Sequence, residues 1–155
     1  MLWRVIEGEV VPASKQLGLS QIVWSPIAQG VLTGKYKPGQ PLPEGSRATD
    51  DKGGSDMIKR FMRDEVLSSV QELQPVADEL NLSMAQLAVA WVLQNENVAS
   101  AIIGASRPEQ VHDNAGAAGV TIPAELMSRI DDALSGVVES DPAKTNDSSP
   151  KTREA

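Results

Sequence analysis

Two short strand-like segments, separated by helical patterns, limit the fold of this chain more than any other feature. Gln21-Ile22-Val23-Trp24 is β-branched and aromatic, and Ala101-Ile102-Ile103 is a second apolar run of strand length. Strands that alternate with helices predict a parallel sheet covered by helices, so we expect both strands to be buried. Two strands are too few for such a sheet. We therefore expect that a partner adds strands, or that the chain is a piece of a larger barrel or open sheet.

Apolar residues at steps of three and four predict the helices. The first helix is predicted over Glu7–Leu17, with Gly18 at its C-terminal cap. A helical pattern begins at Asp56, and Ser83-x-x-Gln86 is a capping box that starts another helix. A last helix is predicted after Pro123. The repeating apolar positions are Val66, Val70, Leu73, Val76 and Leu80 in the middle of the chain, and Leu126, Ile130 and Leu134 near its end.

Three further segments lie between these helices or beyond them. Leu32 to Arg47 is rich in glycine and proline, and a connection this long is usually functional or disordered. Ser106-Arg107-Pro108-Glu109 predicts a second capping box, with proline in the first turn of the helix. Beyond residue 137 the chain is polar and contains prolines. We expect one structured region over residues 1–137 and a disordered tail over 138–155.

Charge and composition exclude several classes of function. The net charge of -7 argues against a nucleic-acid partner and gives no support to an anionic membrane surface, because both need a basic face. No apolar run reaches the roughly 18 residues of a membrane span. The chain has no cysteine and one histidine, so disulfides, thiolate catalysis and a Cys- or His-rich metal site are not expected. The lack of cysteine fits a cytoplasmic protein.

Two segments are the candidates for a binding site. Trp24–Tyr36 follows a strand, where α/β active sites lie, and its small residues let the backbone approach a ligand. Gly104-Ala105-Ser106 precedes a helix, whose unpaired N–H groups suit a phosphate. Each segment also has a plain structural interpretation. The first is then a strand end followed by a turn, and in the second Ser106 is an N-cap before a solvated helix face.

Two other features carry no assignment. Gly30-Val-Leu-Thr-Gly34-Lys35-Tyr36 is one residue too short for a phosphate-binding P-loop, and Tyr36 stands where a metal-binding Ser or Thr should be. His112 is interpreted as a half-exposed helix residue, because a lone histidine is rarely diagnostic.

Taken together, these segments resemble the aldo-keto reductases, and within them the branch that includes the β subunits of voltage-gated potassium channels. Trp-Ser-Pro-Ile-Ala-x-Gly-x-Leu-Thr-Gly-Lys-Tyr is similar to the cofactor loop after the seventh strand of that family. Gly-Ala-Ser-x-x-x-Gln-x-x-Asp-Asn is similar to its cofactor site after the eighth strand. Gly45-Ser46-Arg47-Ala48 and Ala85-Gln86-Leu87-Ala88-x-Ala90-Trp91 match further segments. The resemblance runs from about Met1 to Val137.

The resemblance implies the C-terminal part of a (β/α)8 TIM barrel, incomplete in this chain, that binds NADP(H). Trp24 would stack on the nicotinamide ring, Lys35 and Arg47 would face the phosphates, and Ser106 would hold the phosphate on the adenosine side. Gln110 would contact the adenosine, and Asp113 and Asn114 its base or ribose. The implied cofactor-binding residues are Trp24, Ser25, Pro26, Ile27, Ala28, Gln29, Gly30, Lys35, Arg47, Gly104, Ser106, Gln110, Asp113 and Asn114.

The catalytic groups of the family do not carry over to this chain. The family tetrad of Asp, Tyr, Lys and His lies in the first half of the barrel, whereas Tyr36 and His112 belong to the cofactor segments. The chain begins after the expected sixth strand, so we assign it no catalytic and no metal-binding residue. The full protein would reduce an aldehyde or ketone by hydride transfer. The alternatives are a non-catalytic nucleotide-binding or interaction protein like a channel β subunit, and a decayed fragment; a homo-oligomer is also open.

Overall fold

A parallel pair of strands lies among seven α-helices in the computed structural model, which describes residues 1–52 and 54–148. Short 3-10 helices connect several of these elements. The strands are β1 (Gln21–Trp24) and β2 (Val98–Ile102). The helices are α1 (Val10–Gln16), α2 (Gly54–Ile58), α3 (Asp64–Gln71), α4 (Gln74–Glu79), α5 (Met84–Leu93), α6 (Pro108–Ala115) and α7 (Ala124–Leu134). The 3-10 helices span Ala28–Thr33, Arg47–Thr49, Lys59–Phe61 and Pro142–Ser148.

The sheet is parallel, as the alternation of strands and helices predicts, and it is not closed. Val23 lies opposite Ala101 and Trp24 opposite Ile102, with an irregularity in the register after Gln21. The strand predicted over 101–103 begins earlier, at Val98, because Val98 and Ser100 pair with Gln21 and Ile22 of β1, and the unpaired Ala99 lies between them. Neither Ala99 nor Ser100 has a strong strand preference of its own.

The expectation that both strands are buried is wrong for one face of the sheet. Ile22 and Trp24 are each 65% exposed, and Ile102 is 58% exposed. Side chains alternate between the two faces of a strand, and α5 packs against one face. The other face of this two-stranded sheet is open in the described residues, so the apolar side chains on it meet solvent.

The core lies between the helices and the residues that follow β1. Helices α3 and α4 pack against α7, and α5 packs against β2 and the Ala28–Thr33 turn. The predicted core positions Val66, Val70, Leu73 and Val76 are buried, and so are Leu126, Ile130 and Leu134 on one face of α7. Leu80 is half-buried and packs against this cluster.

Two helical segments differ from their predicted bounds. Helix α1 begins at Val10 rather than Glu7 and ends at Gln16, and Leu17 follows it as an exposed C-cap. Gly18 does follow the helix with φ of +69°, as the predicted cap requires. The helical pattern predicted from Asp56 begins two residues earlier, at Gly54, and is divided into α2, α3 and α4. Pro75 stands in the first turn of α4, where a residue without an N–H is tolerated, and this favours a new helix there.

One predicted capping box is confirmed and the other is wrong. Ser83 Oγ accepts a hydrogen bond from the Gln86 N–H, and Gln86 Oε1 accepts from the Ser83 N–H. Helix α6 instead has Arg107 as its N-cap, with no side-chain cap. Pro108 occupies the first helical position, which its fixed φ favours, so the cap falls on Arg107 and Ser106 lies outside the helix.

The end of the chain is partly described. Glu139 exchanges backbone hydrogen bonds with Leu2 and Arg4, and Pro142–Ser148 forms a 3-10 helix where the sequence predicts a disordered tail. Residues 149–155 lie outside the described residues, so the division at residue 137 stays a prediction. Over 1–52 and 54–148, no helix has both the length and the apolar composition needed to cross a bilayer.

Candidate functional site

The parallel pairing of β1 and β2 brings the two predicted segments together. Trp24 is the last residue of β1, and it lies opposite Ile102, the last residue of β2. Both strands run in the same direction, so the residues that follow them leave the sheet at the same edge. We call residues 24–36 the Trp24 loop and residues 104–114 the Gly104 segment. The carboxyl edge of a parallel sheet is the usual place for a ligand in α/β proteins.

The Trp24 loop has an unusual backbone. Ser25, Ala28 and Gln29 have φ of +54°, +47° and +59°, and Gly30 has φ of +98°. Left-handed non-glycine residues cost free energy and persist where the surrounding structure holds them. Here Gln29 Nε2 donates to Ser25 Oγ at 2.6 Å, and the Gly30 N–H donates to the Ile27 carbonyl at 2.9 Å. The loop is therefore a compact turn with its own internal hydrogen bonds.

The core anchors this turn. Val31 and Leu32 are fully buried, and Ala28 and Gly30 are also buried. Trp24 at the start of the loop remains 65% exposed, so one indole face is open to a planar ligand. A methyl group built on Gly30 would lie 3.3 Å from Lys35 Nζ, which places the Lys35 ammonium beside the strained turn. The arrangement joins a flat aromatic surface, a closely folded backbone and a cation.

Tyr36 connects the Trp24 loop to the segment that contains Arg47. Its ring is 1% exposed, and its hydroxyl accepts a hydrogen bond from the Ala48 N–H at 3.4 Å. Arg47 itself is exposed, and its guanidinium lies 4.0 Å from Met57 Sδ. Ser46 Oγ is buried and has no hydrogen-bond partner among the described residues.

The Gly104 segment is far more exposed than the Trp24 loop. No residue of α6 is buried, and Gly104, Ser106 and Arg107 are exposed. The Ser106 N–H and Ser106 Oγ both donate to Gln110 Oε1, at 2.7 and 3.1 Å. Two residues with separate predicted roles, phosphate and adenosine binding, are thus bonded to each other. A ligand would have to displace Gln110 to reach the Ser106 N–H.

Asp113 and Asn114 are placed differently from each other. Asp113 Oδ2 accepts from Ser83 Oγ at 3.1 Å, and the Asp113 carbonyl accepts from Gln86 Nε2 at 2.7 Å. Asp113 therefore ties α6 to the start of α5 and has a structural role besides the predicted one. Asn114 lines a groove of about 370 Å³ between α5, β2 and α6, together with apolar residues such as Ile103 and Val111.

Sequence reasoning missed one side chain that contacts the site. Gln71, at the end of α3, donates from Nε2 to the carbonyls of Gly34 and Tyr36 at 3.1 and 3.2 Å. Gln71 lies 37 positions from Gly34 and 35 positions from Tyr36, and no local pattern in the sequence marks it. Its neighbours in the helix show only the apolar spacing of a packed face.

The charge around the site differs from that of the whole chain. Residues 35–63 contain seven of the chain's 14 Lys and Arg residues, but only four of its 21 Asp and Glu residues. This stretch is therefore basic although the net charge is -7. It includes Lys35 and Arg47. A local basic region can bind an anionic ligand even in an acidic protein.

Groups that could support other chemistry are absent or occupied. Within the part of the chain that the structure describes, no three Asp, Glu or His side chains form a group that could hold a metal ion. His112 is exposed in the last turn of α6. The Tyr36 hydroxyl is buried in the core and faces a backbone N–H rather than the open sheet edge.

A parallel sheet with helices on one face and two loops at its carboxyl edge defines an α/β protein of the kind that binds ligands at that edge. The aldo/keto reductase family model matches residues 1–135, and the chain belongs to this family. The resemblance drawn from the loop motifs is therefore confirmed.

Named relatives match this chain over part of their own length. A probable voltage-gated potassium channel subunit beta from Oryza sativa subsp. japonica is 40% identical over 140 residues, 90% of this chain and 42% of that protein. Its Arabidopsis thaliana counterpart is 40% identical over 139 residues, 90% of this chain and 41% of that protein. A putative subunit from Schizosaccharomyces pombe is 34% identical over 83% of this chain and 38% of that protein. The chain spans about two fifths of the length of these relatives.

A solved structure agrees with the fold. A glycerol dehydrogenase from Gluconobacter oxydans superposes with a TM-score of 0.67, at 24% identity, over 98% of this chain and 43% of that one. At this identity the likeness shows the fold alone. The chain thus has the α/β fold of part of an aldo/keto reductase, with an unclosed sheet.

Proposed function

We propose that this chain supplies the dinucleotide-binding loops of an NADP(H)-dependent oxidoreductase and forms the C-terminal part of its TIM barrel. One observation carries the proposal. Trp24 lies opposite Ile102 in parallel strands, so the Trp24 loop and the Gly104 segment leave the sheet side by side. A dinucleotide is long enough to need two such neighbouring loops, one for each half. Membership of the aldo/keto reductase family supports the same conclusion.

The residues of the Trp24 loop suit the nicotinamide half of the cofactor. The exposed indole of Trp24 offers a stacking surface, and the backbone of Ser25–Gly30 is folded tightly enough to approach a pyrophosphate. Lys35 and Arg47 bring positive charge to the phosphates from a basic stretch of the chain.

The Gly104 segment suits the adenosine half. Ser106, immediately before the first turn of α6, would receive a phosphate once Gln110 moves away, and Gln110 would then contact the adenosine. Asn114 and Asp113 follow on α6, with Asp113 already held by Ser83. We therefore expect Asp113 to orient the helix and Asn114 to reach the base or ribose.

We further propose that the whole protein is a carbonyl reductase. When bound, the nicotinamide supplies a hydride to the carbonyl carbon of an aldehyde or ketone. The residues assigned here bind and orient that cofactor, and none of them is proposed as a proton donor. We propose that the whole protein lies in the cytoplasm, acts on a carbonyl substrate and associates with itself.

A fluorescence titration tests cofactor binding directly. NADPH is added to the chain while tryptophan emission is recorded, and Trp24→Phe is the matched control because Trp3 and Trp91 remain. After correction for absorption by NADPH, stacking should give a saturable quench in the unsubstituted chain that is largely lost in Trp24→Phe. A parallel NADH titration tests the preference for the extra phosphate. No change with millimolar NADPH in the unsubstituted chain would contradict the proposal.

A second candidate function is a non-catalytic nucleotide-binding or interaction protein. The names of the relatives from Oryza sativa, Arabidopsis thaliana and Schizosaccharomyces pombe favour it, because each is the name of a probable or putative channel β subunit. Both candidates predict NADPH binding, and turnover separates them. The full-length protein should oxidise NADPH in the presence of an aldehyde if it is a reductase. The 155-residue chain alone should not, and turnover by it would show that catalytic groups are present after all.

A further inference from the structure

Gln71 links a helix of the core to the end of the Trp24 loop. Its side-chain Nε2 lies 3.1 Å from the Gly34 carbonyl oxygen and 3.2 Å from the Tyr36 carbonyl oxygen. A primary amide has two N–H groups, so one NH2 can donate to both carbonyls at once. Gln71 is half-buried at the C-terminal end of α3, whose residues Val66, Leu67 and Val70 are in the core. The donor is therefore held in place by a packed helix.

The two acceptors lie on either side of Lys35. Gly34 has φ of +74°, the left-handed cap of the Ala28–Thr33 turn, and the Tyr36 ring is buried. The Gly34 carbonyl belongs to the peptide group before Lys35, and the Tyr36 carbonyl belongs to the peptide group after Tyr36, so the two bonds fix the backbone at both ends of the Gly34-Lys35-Tyr36 segment. The direction in which the Lys35 side chain leaves the backbone is thereby limited as well.

The Lys35 ammonium already lies close to the strained turn. Nζ is 5.1 Å from the centre of the Tyr36 ring and 3.3 Å from the point where a Cβ of Gly30 would be. The cation therefore faces the part of the loop whose backbone is folded for a ligand.

We propose that Gln71 is a positioning residue for Lys35. By donating to the carbonyls of Gly34 and Tyr36, it fixes the short backbone segment that carries Lys35 and holds the ammonium where a phosphate of the dinucleotide binds. The inference rests on the proposed function, and it adds a residue outside the loop motifs that acts on cofactor affinity without touching the cofactor.

A double-mutant cycle tests this role. Dissociation constants for NADPH are measured by calorimetry for the chain and for Gln71→Met, Lys35→Met and the double variant. Gln71→Met should raise Kd about fivefold to tenfold in the unsubstituted chain, and less than about twofold when Lys35 is already Met. A purely structural role would give the same fold-change in both backgrounds, and that result would overturn the inference.

Gln94→Met is a matched control. Gln94 also donates from Nε2 to two backbone carbonyls, those of Ala90 and Val120, but it does so away from the loop. We expect its replacement to lower the unfolding midpoint and to change Kd less than about twofold. An equal rise in Kd for Gln94→Met would show that lost stability explains the effect, and would overturn the inference.

A second variant keeps the test decisive if Gln71→Met folds poorly. Gln71→Glu has nearly the same shape but places a carboxylate, which cannot donate, against the two carbonyls, so it should raise Kd by at least fivefold in the unsubstituted chain and less than about twofold when Lys35 is already Met. Normal affinity in both Gln71 variants would overturn the inference and leave the proposed function intact. No NADPH binding by the unsubstituted chain would overturn the proposed function, and the inference with it.

Discussion

The Trp24 loop and the Gly104 segment leave neighbouring strands at the same edge of the sheet, yet they are built in opposite ways. The Trp24 loop has left-handed residues at Ser25, Ala28 and Gln29, and it is anchored by the buried side chains of Val31 and Leu32. The Gly104 segment has no buried residue in its helix, and the side-chain hydrogen bonds of Ser106, Gln110 and Asp113 lie at the surface.

This difference separates a preorganised part of the site from an adaptable one. The strain in the Trp24 loop is held by core packing, so its shape is present before a ligand arrives. The Gly104 segment depends on exposed hydrogen bonds, which a ligand can exchange for its own at little net cost. We expect the nicotinamide side of the site to be rigid and the adenosine side to rearrange on binding. Paired substitutions, one in each region, test the contrast.

The largest difference should come from removing an apolar side chain in each region. Leu32→Ala deletes a side chain that is 1% exposed and should lower the free energy of unfolding by about 2–5 kcal/mol. Val111→Ala, at a residue 56% exposed, should change it by less than about 0.5 kcal/mol. Urea denaturation of both variants measures the difference. Similar losses in the two would mean that the Gly104 segment is packed as firmly as the Trp24 loop.

A smaller difference should come from adding a methyl group to a glycine in each region. Gly30→Ala puts a Cβ on a residue with φ of +98° and brings it 3.3 Å from Lys35 Nζ, so we expect a loss of about 1–3 kcal/mol. Gly104→Ala meets no atom within 4 Å and no left-handed backbone, so the change should stay within about 0.5 kcal/mol. Thermal unfolding at a single protein concentration provides the comparison. If Gly30→Ala proved neutral, the strain assigned to this turn would be disproved.

The smallest difference concerns the two serines predicted to cap helices. Ser83→Ala removes the side chain that accepts from the Gln86 N–H at 3.1 Å and should cost about 1 kcal/mol. Ser106→Ala removes a hydroxyl that caps no N–H of α6, so we expect less than about 0.5 kcal/mol. The urea unfolding midpoints of the two variants measure both losses. A loss at Ser106 as large as that at Ser83 would restore the capping role that the sequence predicts.

Local patterns predicted much of the fold because they act over a few residues. The apolar spacing of Val66, Val70 and Leu73, and of Leu126, Ile130 and Leu134, predicted faces that are buried. The capping box at Ser83 and the left-handed Gly18 are also local geometry. The parallel sheet followed from the alternation of strands and helices, and the family resemblance from motifs at consistent spacing.

The predictions from the sequence were wrong where two local rules compete, or where a distant part of the chain determines whether a residue is buried. The capping rule favoured Ser106, but the preference of Pro108 for the first helical position moved the cap to Arg107. The exposed Ile22 and Ile102 are apolar enough to be buried, yet burial needs a second layer on that face of the sheet. No pattern within a segment of a dozen residues contains that information.

The sequence by itself determined which residues form the two loops, because their composition and order are properties of short segments. Only the tertiary structure decided how those loops are used. It brought the ends of β1 and β2 side by side, buried Tyr36 against Ala48, and placed Gln71 beside residues more than 30 positions away. The physical reason is that hydrogen-bond partners and burial depend on which segments meet in space. In this chain, these tertiary contacts distinguish the strained, anchored Trp24 loop from the exposed, adaptable Gly104 segment.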